Sequence, residues 1–150
     1  MRLLGKTNMK VNRVGFGGIP IQRITQEETN KVINELIDKM WKTLYQTDGI
    51  GLAAPQIGLS IRLFLIDSTS FENGFKKVFI NPIIDNYYGE SVEMEESCLS
   101  IPGISEIVNR ENIIDISYYD ENWNFFKETY SGVISRIIQH EYDHIEGKLF

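Results

Sequence analysis

The chain has 150 residues, of which 42% are apolar and 24% charged, and this composition is typical of one globular domain rather than of a disordered segment. Acidic side chains outnumber basic ones 21 to 15 and give a net charge of −6. Without a Lys/Arg cluster, neither DNA nor an anionic membrane is expected as a partner. No apolar run reaches the ~20 residues of a membrane span, and residues 1–10 lack the apolar stretch of a signal peptide, so we expect a cytoplasmic protein.

The predicted elements begin with residues 3–24, a glycine-bearing segment that we interpret as a hairpin or an irregular lead-in. Thr25 lies three residues before Glu28, which is a capping-box pattern for the start of a helix. Apolar residues then recur at helical spacing from Val32 to Tyr45. The Asp48-Gly49 pair is expected to end this helix.

Strands and turns are predicted next. A glycine-bounded loop at Gly49–Gly58 precedes an expected buried strand at Ile61–Asp67. The Asn73-Gly74 pair predicts a hairpin turn that leads into a strand at Lys77–Ile84. Pro82 has no backbone N–H to donate, so we expect it at an edge or at the end of this strand.

The second half of the chain is predicted to form another hairpin and a helix. Ile113–Tyr119 and Trp123–Tyr130 flank a turn at 120–122. A helix is expected from about Gly132 to Glu146, with Gly147 as the residue that stops it. Strands followed by a packed helix indicate the α+β class, with antiparallel or mixed sheets packed around this C-terminal helix.

This last helix contains an H-E-x-x-H pattern, His140-Glu-Tyr-Asp-His144. Residues four apart lie one turn above each other, so both imidazoles can bind a single metal ion. A divalent metal lowers the pKa of water towards neutrality, and Glu141 lies where its carboxylate can complete the deprotonation. The alternative interpretation is a solvated helix that carries two histidines by chance.

A catalytic site of this kind uses three protein ligands. The metzincin position for the third ligand, six residues beyond His144, is Phe150, and no later helix supplies a distant carboxylate. The third ligand must therefore lie upstream. Cys98 is the only thiol in the chain, while spacing alone leaves an upstream Asp or Glu open. In isolation such a Cys is more often a buried small apolar residue.

Two further patterns adjoin this site. Val133 and Ile137 share a helix face with the two histidines, so an apolar wall leads to the proposed metal; core packing is the alternative, and both can hold. The loop Gly49–Gln56 offers backbone amides and the Gln56 side chain for binding an extended peptide, or it is only a structural turn.

Three segments together resemble the motifs of the peptide deformylases: Gly49-Ile-Gly-Leu-Ala-Ala-Pro-Gln56, Glu96-Ser-Cys98-Leu-Ser100 and His140-Glu-Tyr-Asp-His144. The resemblance covers about residues 35–150 and implies a deformylase-like α+β fold. It also implies an enzyme that removes the N-formyl group from the N-terminal methionine of nascent polypeptides, at the ribosome, and releases formate.

The same resemblance implies a role for each matching residue. Three residues would hold one divalent metal ion: Cys98, His140 and His144. The ion implied is Fe²⁺ in the cell, with Zn²⁺ or Ni²⁺ as substitutes. Glu141 would act as general base and then as general acid. The backbone N–H of Leu99 and the side-chain amide of Gln56 would stabilise the oxyanion.

The resemblance further implies contacts to the substrate and a support for the metal. Backbone groups of three residues would pair with the peptide as an added strand: Ile50, Gly51 and Ser97. Three side chains would line the pocket for the substrate's methionine: Met94, Val133 and Ile137. Glu96 and Arg110 match an ion pair that supports the site.

The chain also departs from the deformylase pattern. Ser97 stands in place of a glycine, which costs about 1 kcal/mol if the backbone there needs a positive φ. Ser105 stands where many members carry a basic residue. Residues 1–38 resemble instead the start of an aldo-keto reductase without its catalytic residues. We therefore expect an atypical, chimeric segment at 1–34 and a C-terminally short deformylase domain at 35–150.

Two alternatives to an active deformylase follow from these departures and from the metal motif. One is a degraded, chimeric deformylase-like protein that binds metal or peptide without turnover. The other is a general metallopeptidase, which the absence of the metzincin and gluzincin third ligands disfavours.

Overall fold

The computed structural model describes residues 2–3, 10–11 and 25–150. By its internal contacts the chain divides into two compact units, Met1–Ile33 and Asn34–Phe150. In the first unit, β1 (Arg2–Leu3) pairs in antiparallel fashion with β2 (Lys10–Val11). The remainder of the lead-in predicted at 3–24 lies outside the described residues.

Helix α1 spans Gln26–Gln46 and begins with the predicted capping box. The N–H of Glu28 donates to Oγ1 of Thr25 at 3.1 Å, and the N–H of Thr25 donates to Oε2 of Glu28 at 2.7 Å. These bonds satisfy two backbone donors at the start of the helix. In the second unit, three side chains of the helix are buried: Ile37, Met40 and Leu44. The helix ends just before Asp48, which has a positive φ of 50°, so the predicted end is confirmed.

One antiparallel sheet forms the body of the second unit. Its strands in the described residues are β3 (Gly51–Ala53), β4 (Leu63–Asp67), β5 (Lys76–Ser97), β6 (Ser105–Tyr119) and β7 (Phe125–Ser131). They are hydrogen-bonded in the order β3-β4-β5-β6-β7. A 3₁₀ helix at Ala54–Ile57 follows β3, and helix α2 (Gly132–Ile145) follows β7. The predicted α+β class is confirmed, and the sheet is wholly antiparallel over these strands.

Strands β5 and β6 are much longer than predicted. The expected strand at 77–84 continues to Ser97, and the expected strand at 113–119 begins already at Ser105. Shifts of register interrupt the pairing of the two strands at three places, which breaks the alternation that a sequence pattern relies on. Most side chains of the added part are exposed and polar, so they gave no apolar signal.

The expectation for Pro82 is wrong. The residue lies inside β5 and is fully buried, between Ile80 and Ile83, where the register of β5 and β6 shifts. A bulge tolerates a residue that cannot donate to the ladder. Its carbonyl accepts a hydrogen bond from Nη2 of Arg62 at 2.9 Å.

The apolar core lies between the sheet and α2. Ile138 of the helix is fully buried in a cluster with residues of β4, β5 and β6. Phe79 is at the centre of this cluster, with its ring 4.7 Å from that of Phe64 and 4.3 Å from that of Tyr118. Such packing fixes the helix on the sheet along one face. No helix in the described parts of the chain combines the length and apolarity needed to cross a membrane.

A polar network crosses one face of the sheet. The carboxylate of Glu128 accepts hydrogen bonds from Nζ of Lys77 at 2.7 Å and from the hydroxyl of Tyr118 at 2.6 Å, and also from the hydroxyl of Tyr130. Burial alone would raise the pKa of Glu128, but these donors hold the pKa below 4.5, the ordinary value for a glutamate. Because the folded-state pKa is the lower one, this carboxylate stabilises the fold above pH ~4.5, and the contribution is lost as the pH falls through the folded-state pKa.

We expect Glu128→Gln to lower the free energy of unfolding by about 1–2 kcal/mol at pH 7, because a neutral amide replaces the acceptor of charge-assisted bonds. The difference from the parent should shrink as the pH falls below 4.5. Urea unfolding from pH 7 to pH 3 measures it. Glu121→Gln, in the exposed turn before β7, is the matched control. A difference that stays constant down to pH 3 would contradict the assignment.

Candidate metal centre

Three ligand side chains converge from two elements of the fold. Cys98 follows the last residue of β5, while His140 and His144 lie one turn apart on α2. Their ligand atoms all lie within 4.8 Å of one another. Sγ of Cys98 is 3.3 Å from Nε2 of His144, and the two imidazole rings have centroids 4.9 Å apart at an angle of 86°. The structure therefore brings together the three residues predicted as metal ligands.

The chemistry of this donor set fits a divalent transition metal. One thiol and two imidazoles are ligands that Zn²⁺ and Fe²⁺ accept, and three protein ligands leave a position open. Cys98 and His144 are buried. Burial, together with the neighbouring His140, lowers the pKa of His144 to about 4. At neutral pH this imidazole is therefore uncharged, which is the form that binds a metal.

Glu96 forms a hydrogen bond with the ring of His140. Its Oε2 accepts a hydrogen bond from Nδ1 of His140 at 2.9 Å, which leaves Nε2 of that ring for a metal. Burial of Glu96 favours its neutral form, but hydrogen bonds from His140 and from two arginines outweigh burial and lower the pKa to about 2. An ionised carboxylate behind the imidazole fixes both its tautomer and its orientation.

Arg110 makes the predicted ion pair with Glu96. Its Nε donates to Oε1 at 2.7 Å and its Nη2 donates to Oε2 at 2.9 Å, in a bidentate arrangement. The remaining nitrogen, Nη1, donates to Oδ2 of Asp143 at 2.7 Å. Both Glu96 and Arg110 are buried. The ion pair predicted between them is therefore present and continues onto α2.

Glu141 is a second buried acidic side chain of the site. Its Oε2 has no hydrogen-bond partner among the described residues, and burial raises the pKa of the side chain to about 8. An orphaned buried oxygen on a residue that lines a cavity with Cys98 and His140 is typical of a group whose partner is a ligand. Gly51 of β3 makes room for it, since a Cβ there would lie 2.7 Å from Cγ and Cδ of Glu141.

The two residues predicted to stabilise an oxyanion lie beside Cys98. Oε1 of Gln56 accepts the N–H of Ala53 at 2.8 Å, which orients the amide. Its Nε2 then donates to Oγ of Ser100 at 3.1 Å and lies 3.9 Å from Sγ of Cys98. Leu99 follows Cys98 in the turn between β5 and β6, with its side chain half exposed.

A cavity of about 560 Å³ opens in front of these groups. The predicted substrate-contacting residues all line it: Ile50, Gly51, Met94, Ser97, Val133 and Ile137. Other lining residues were not predicted: Asp48, Phe71, Glu95, Pro102, Gly103 and Arg136. The apolar wall expected on α2 is thus part of the cavity, and its walls come from the loop before β3, from β5 and from α2.

The backbone at Ser97 is unstrained. The residue belongs to β5 and is not among the described residues with positive φ, so the penalty expected for replacing a glycine does not arise. Its Oγ lies 3.0 Å from Oγ of Ser105 across the strand pair. At Ile50, the carbonyl accepts the N–H of Asp67 at 2.8 Å, so part of its backbone is already bonded within the fold.

Two residues of the site were not found from the sequence. Arg136 donates from Nη1 to Oε1 of Glu96 at 2.6 Å, and Asp143 accepts from Arg110. Arg136 lies four residues before His140, so helical spacing places it on the same face as the metal ligand. A charged residue inside an otherwise apolar stripe was the available signal.

A helix-borne H-E-x-x-H pair beside a buried carboxylate and a peptide-sized cavity is typical of metal-dependent hydrolases. Comparison with known families makes this specific. The family model described as polypeptide deformylase matches residues 19–150. The chain belongs to the polypeptide deformylase family, whose members depend on a metal.

Curated relatives agree with the family match. The peptide deformylase of Karelsulcia muelleri is 58% identical over 125 residues, which are 83% of this chain and 66% of the relative. The peptide deformylase of Flavobacterium psychrophilum is 46% identical over 152 residues, 91% of this chain and 78% of the relative. The chain thus spans about two thirds of the length of the first relative and somewhat more of the second.

Solved structures agree as well. A peptide deformylase from Synechococcus elongatus superposes with a TM-score of 0.74 at 42% identity, covering 79% of this chain and 65% of that one. A class I type b peptide deformylase from Acinetobacter baumannii gives a TM-score of 0.77 at 30% identity, covering 85% and 84%. The deformylase-like fold is therefore confirmed.

The comparisons give no such support to the interpretation of the N-terminal segment. The family model already matches from residue 19, upstream of the deformylase start expected at about residue 35. None of these matches supports the resemblance of residues 1–38 to an aldo-keto reductase. The atypical segment at 1–34 and the domain at 35–150 stay predictions.

We expect Gly51→Ala to destabilise the protein by about 1–3 kcal/mol, because the added Cβ overlaps the Glu141 side chain. In a Glu141→Ala background the same substitution finds space and should cost much less. The interaction energy of this double-mutant cycle, measured by urea unfolding, isolates the contact between the two positions. Equal costs in both backgrounds would contradict it.

Proposed function

We propose that this chain removes the N-formyl group from the N-terminal methionine of nascent polypeptides and releases formate. One observation supports the proposal most directly. The unpaired carboxyl oxygen of Glu141 belongs to the lining of a peptide-sized cavity, together with Cys98 and His140 of the converging ligand set. Such a carboxylate can exchange a proton with water and with an amide substrate.

The metal proposed is one divalent ion, Fe²⁺ in the cell, with Zn²⁺ or Ni²⁺ as substitutes. It would be held by Sγ of Cys98 and the imidazoles of His140 and His144, whose ligand atoms lie within 4.8 Å of one another. When bound, such an ion acts as a Lewis acid and makes a water nucleophile available at neutral pH.

Glu141 would move the proton of the reaction. Its carboxylate takes a proton from the water that attacks the formyl carbon, and it then gives this proton to the amine nitrogen as the C–N bond breaks. Formate and a peptide with a free amino terminus result. Burial raises the pKa of Glu141 to about 8, which brings it near neutral pH, where one group can serve in turn as proton acceptor and proton donor.

Gln56 and Leu99 would stabilise the negative charge that develops on the formyl oxygen. The bond from the Ala53 N–H to Oε1 of Gln56 fixes the amide with its donor nitrogen towards Cys98. Leu99 follows Cys98 directly, so its backbone N–H is close to the same point. Donors fixed in advance, in a water-poor cavity, stabilise an oxyanion without having to reorganise.

The cavity accounts for the proposed substrate class. Met94, Val133 and Ile137 offer an apolar lining for a methionine side chain. Ile50, Gly51 and Ser97 offer backbone groups for the peptide that follows, as an added strand at the edge of the sheet. A formyl carbon is small and unhindered, so it is attacked more readily than an ordinary peptide carbonyl. A cytoplasmic location at the ribosome, where formylated chains emerge, belongs to the same proposal.

The test is release of formate from formyl-methionyl peptides by protein loaded anaerobically with Fe²⁺. Glu141→Ala should lower kcat by at least about 100-fold, because the proton-transferring group is gone, while the bound metal stays stoichiometric. Glu93→Ala, an exposed glutamate of β5, is the matched control and should keep the parent rate.

Three outcomes would contradict the proposal. Undiminished formate release by Glu141→Ala would rule out its role. Stoichiometric metal without formate release by the parent would favour the inactive deformylase-like protein. Cleavage of unformylated peptides would favour a metallopeptidase.

A further inference from the structure

Arg136 is a buried cation that the reaction itself does not use. Its side chain leaves α2 one turn before His140, and the residue is only 8% exposed. Nη1 donates to Oε1 of Glu96 at 2.6 Å and to the carbonyl of Val108 at 3.1 Å, and Nη2 donates to the carbonyl of Val92. A single guanidinium thus bonds the helix to β5 and to β6.

These bonds join the two parts of the metal centre. Cys98 is carried by the end of β5, whereas both histidines are carried by α2. The C-terminal half of β5 and the N-terminal half of β6, which pair with each other, bury few side chains. The apolar core therefore does little to fix this half of the strand pair against the helix. The helix reaches this half through polar bonds instead, and Gln139 adds another to the carbonyl of Glu111 at 2.8 Å.

The bonds also form a closed circuit around one histidine. Arg136 bonds Oε1 of Glu96, and Oε2 of the same carboxylate bonds Nδ1 of His140, one turn further along the helix. Arg110, which lies on β6 in the same strand pair as Glu96, also reaches the helix, through its bond to Asp143. Arg110 bonds the Glu96 carboxylate from within the strand pair, while Arg136 bonds it from the helix.

Two carboxylates and two guanidinium groups make up the centre of the cluster. Glu96 and Asp143 supply two carboxylates, and Arg110 bonds both of them. Arg136 supplies the second guanidinium. Without it, Arg110 would be shared between the buried Glu96 and the half-buried Asp143, which also has Lys148 at 3.9 Å, and Glu96 would lose one of the donors that orient it.

We propose that Arg136 is a positioning residue for the metal centre. Acting through Glu96, it holds the His140 ring so that Nε2 faces Cys98 and His144. Through Val92 and Val108 it holds the strand pair that presents the thiol. The proposal rests on the metal centre described under the proposed function, and it concerns the apo protein as much as the loaded one.

The experiment compares Arg136→Met and Arg136→Lys with the parent. Arg62→Met is the control, because Arg62 also bonds a carbonyl and a carboxylate, Pro82 and Glu146, but bonds neither Glu96 nor a ligand side chain. Competition with a chromophoric chelator measures Zn²⁺ affinity. ¹⁵N NMR of the histidine rings in apo protein reports the His140 tautomer, at a temperature where circular dichroism shows each variant to be folded.

We expect Arg136→Met to bind Zn²⁺ about 10- to 100-fold more weakly than the parent, as for other losses of support behind a ligand. His140 should then lose its single Nδ1–H tautomer. The Zn²⁺ affinity of Arg136→Lys should lie between those of Arg136→Met and the parent, since an ammonium group cannot reach all three acceptors at once. The Zn²⁺ affinity of Arg62→Met should stay within about twofold of that of the parent.

Parent-like Zn²⁺ affinity and an unchanged His140 tautomer in folded Arg136→Met would overturn the proposal, even if the variant melts earlier. If Arg136→Met does not fold, the same two readouts on Arg136→Lys decide. Neither readout involves formate. A parent that binds Zn²⁺ but releases no formate with Fe²⁺ would therefore count against the proposed function and leave the role of Arg136 to be decided by these measurements.

Discussion

The carboxylate of Glu96 is the interaction on which the metal centre depends. It is buried, and it accepts hydrogen bonds from Arg110 on the strands and from Arg136 and His140 on the helix. Burying an ion is expensive unless it is paired and fully hydrogen-bonded. These donors meet that requirement, and each of them is thereby fixed in turn. The result is a rigid link between the strand pair that carries Cys98 and the helix that carries both histidines.

Two faces of helix α2 make different kinds of contact. Ile138 is buried in the aromatic core around Phe79, which fixes the helix on the sheet. The neighbouring face carries the histidines, which need defined directions as well as burial. Apolar packing is non-directional, so it places the helix but does not orient an imidazole. Hydrogen bonds supply the direction, which is why a polar cluster lies behind the ligands.

The sequence predicted what is local and missed what is tertiary. The spacing of His140 and His144, the capping box at Thr25 and the stop at Gly147, which has a φ of 76°, follow from helix geometry alone. Cys98 could be named only among alternatives, because which strand end faces the helix is decided by the sheet. The lengths of β5 and β6 were missed because exposed, bulged strands carry no apolar alternation. Arg136 was missed because its acceptors lie on other elements.

Glu141 shows how the fold prepares a site at the expense of stability. A buried carboxyl oxygen without a partner destabilises a protein, and the close approach of Gly51 removes the room in which water would otherwise solvate this side chain. The residue lines the cavity together with Cys98 and His140. Because any side chain at position 51 would displace the carboxylate, the glycine belongs to the chemistry of the site even though it supplies no functional group. Under the proposed function, the unsatisfied oxygen is the group that interacts with the reactants in the cavity rather than with the protein itself.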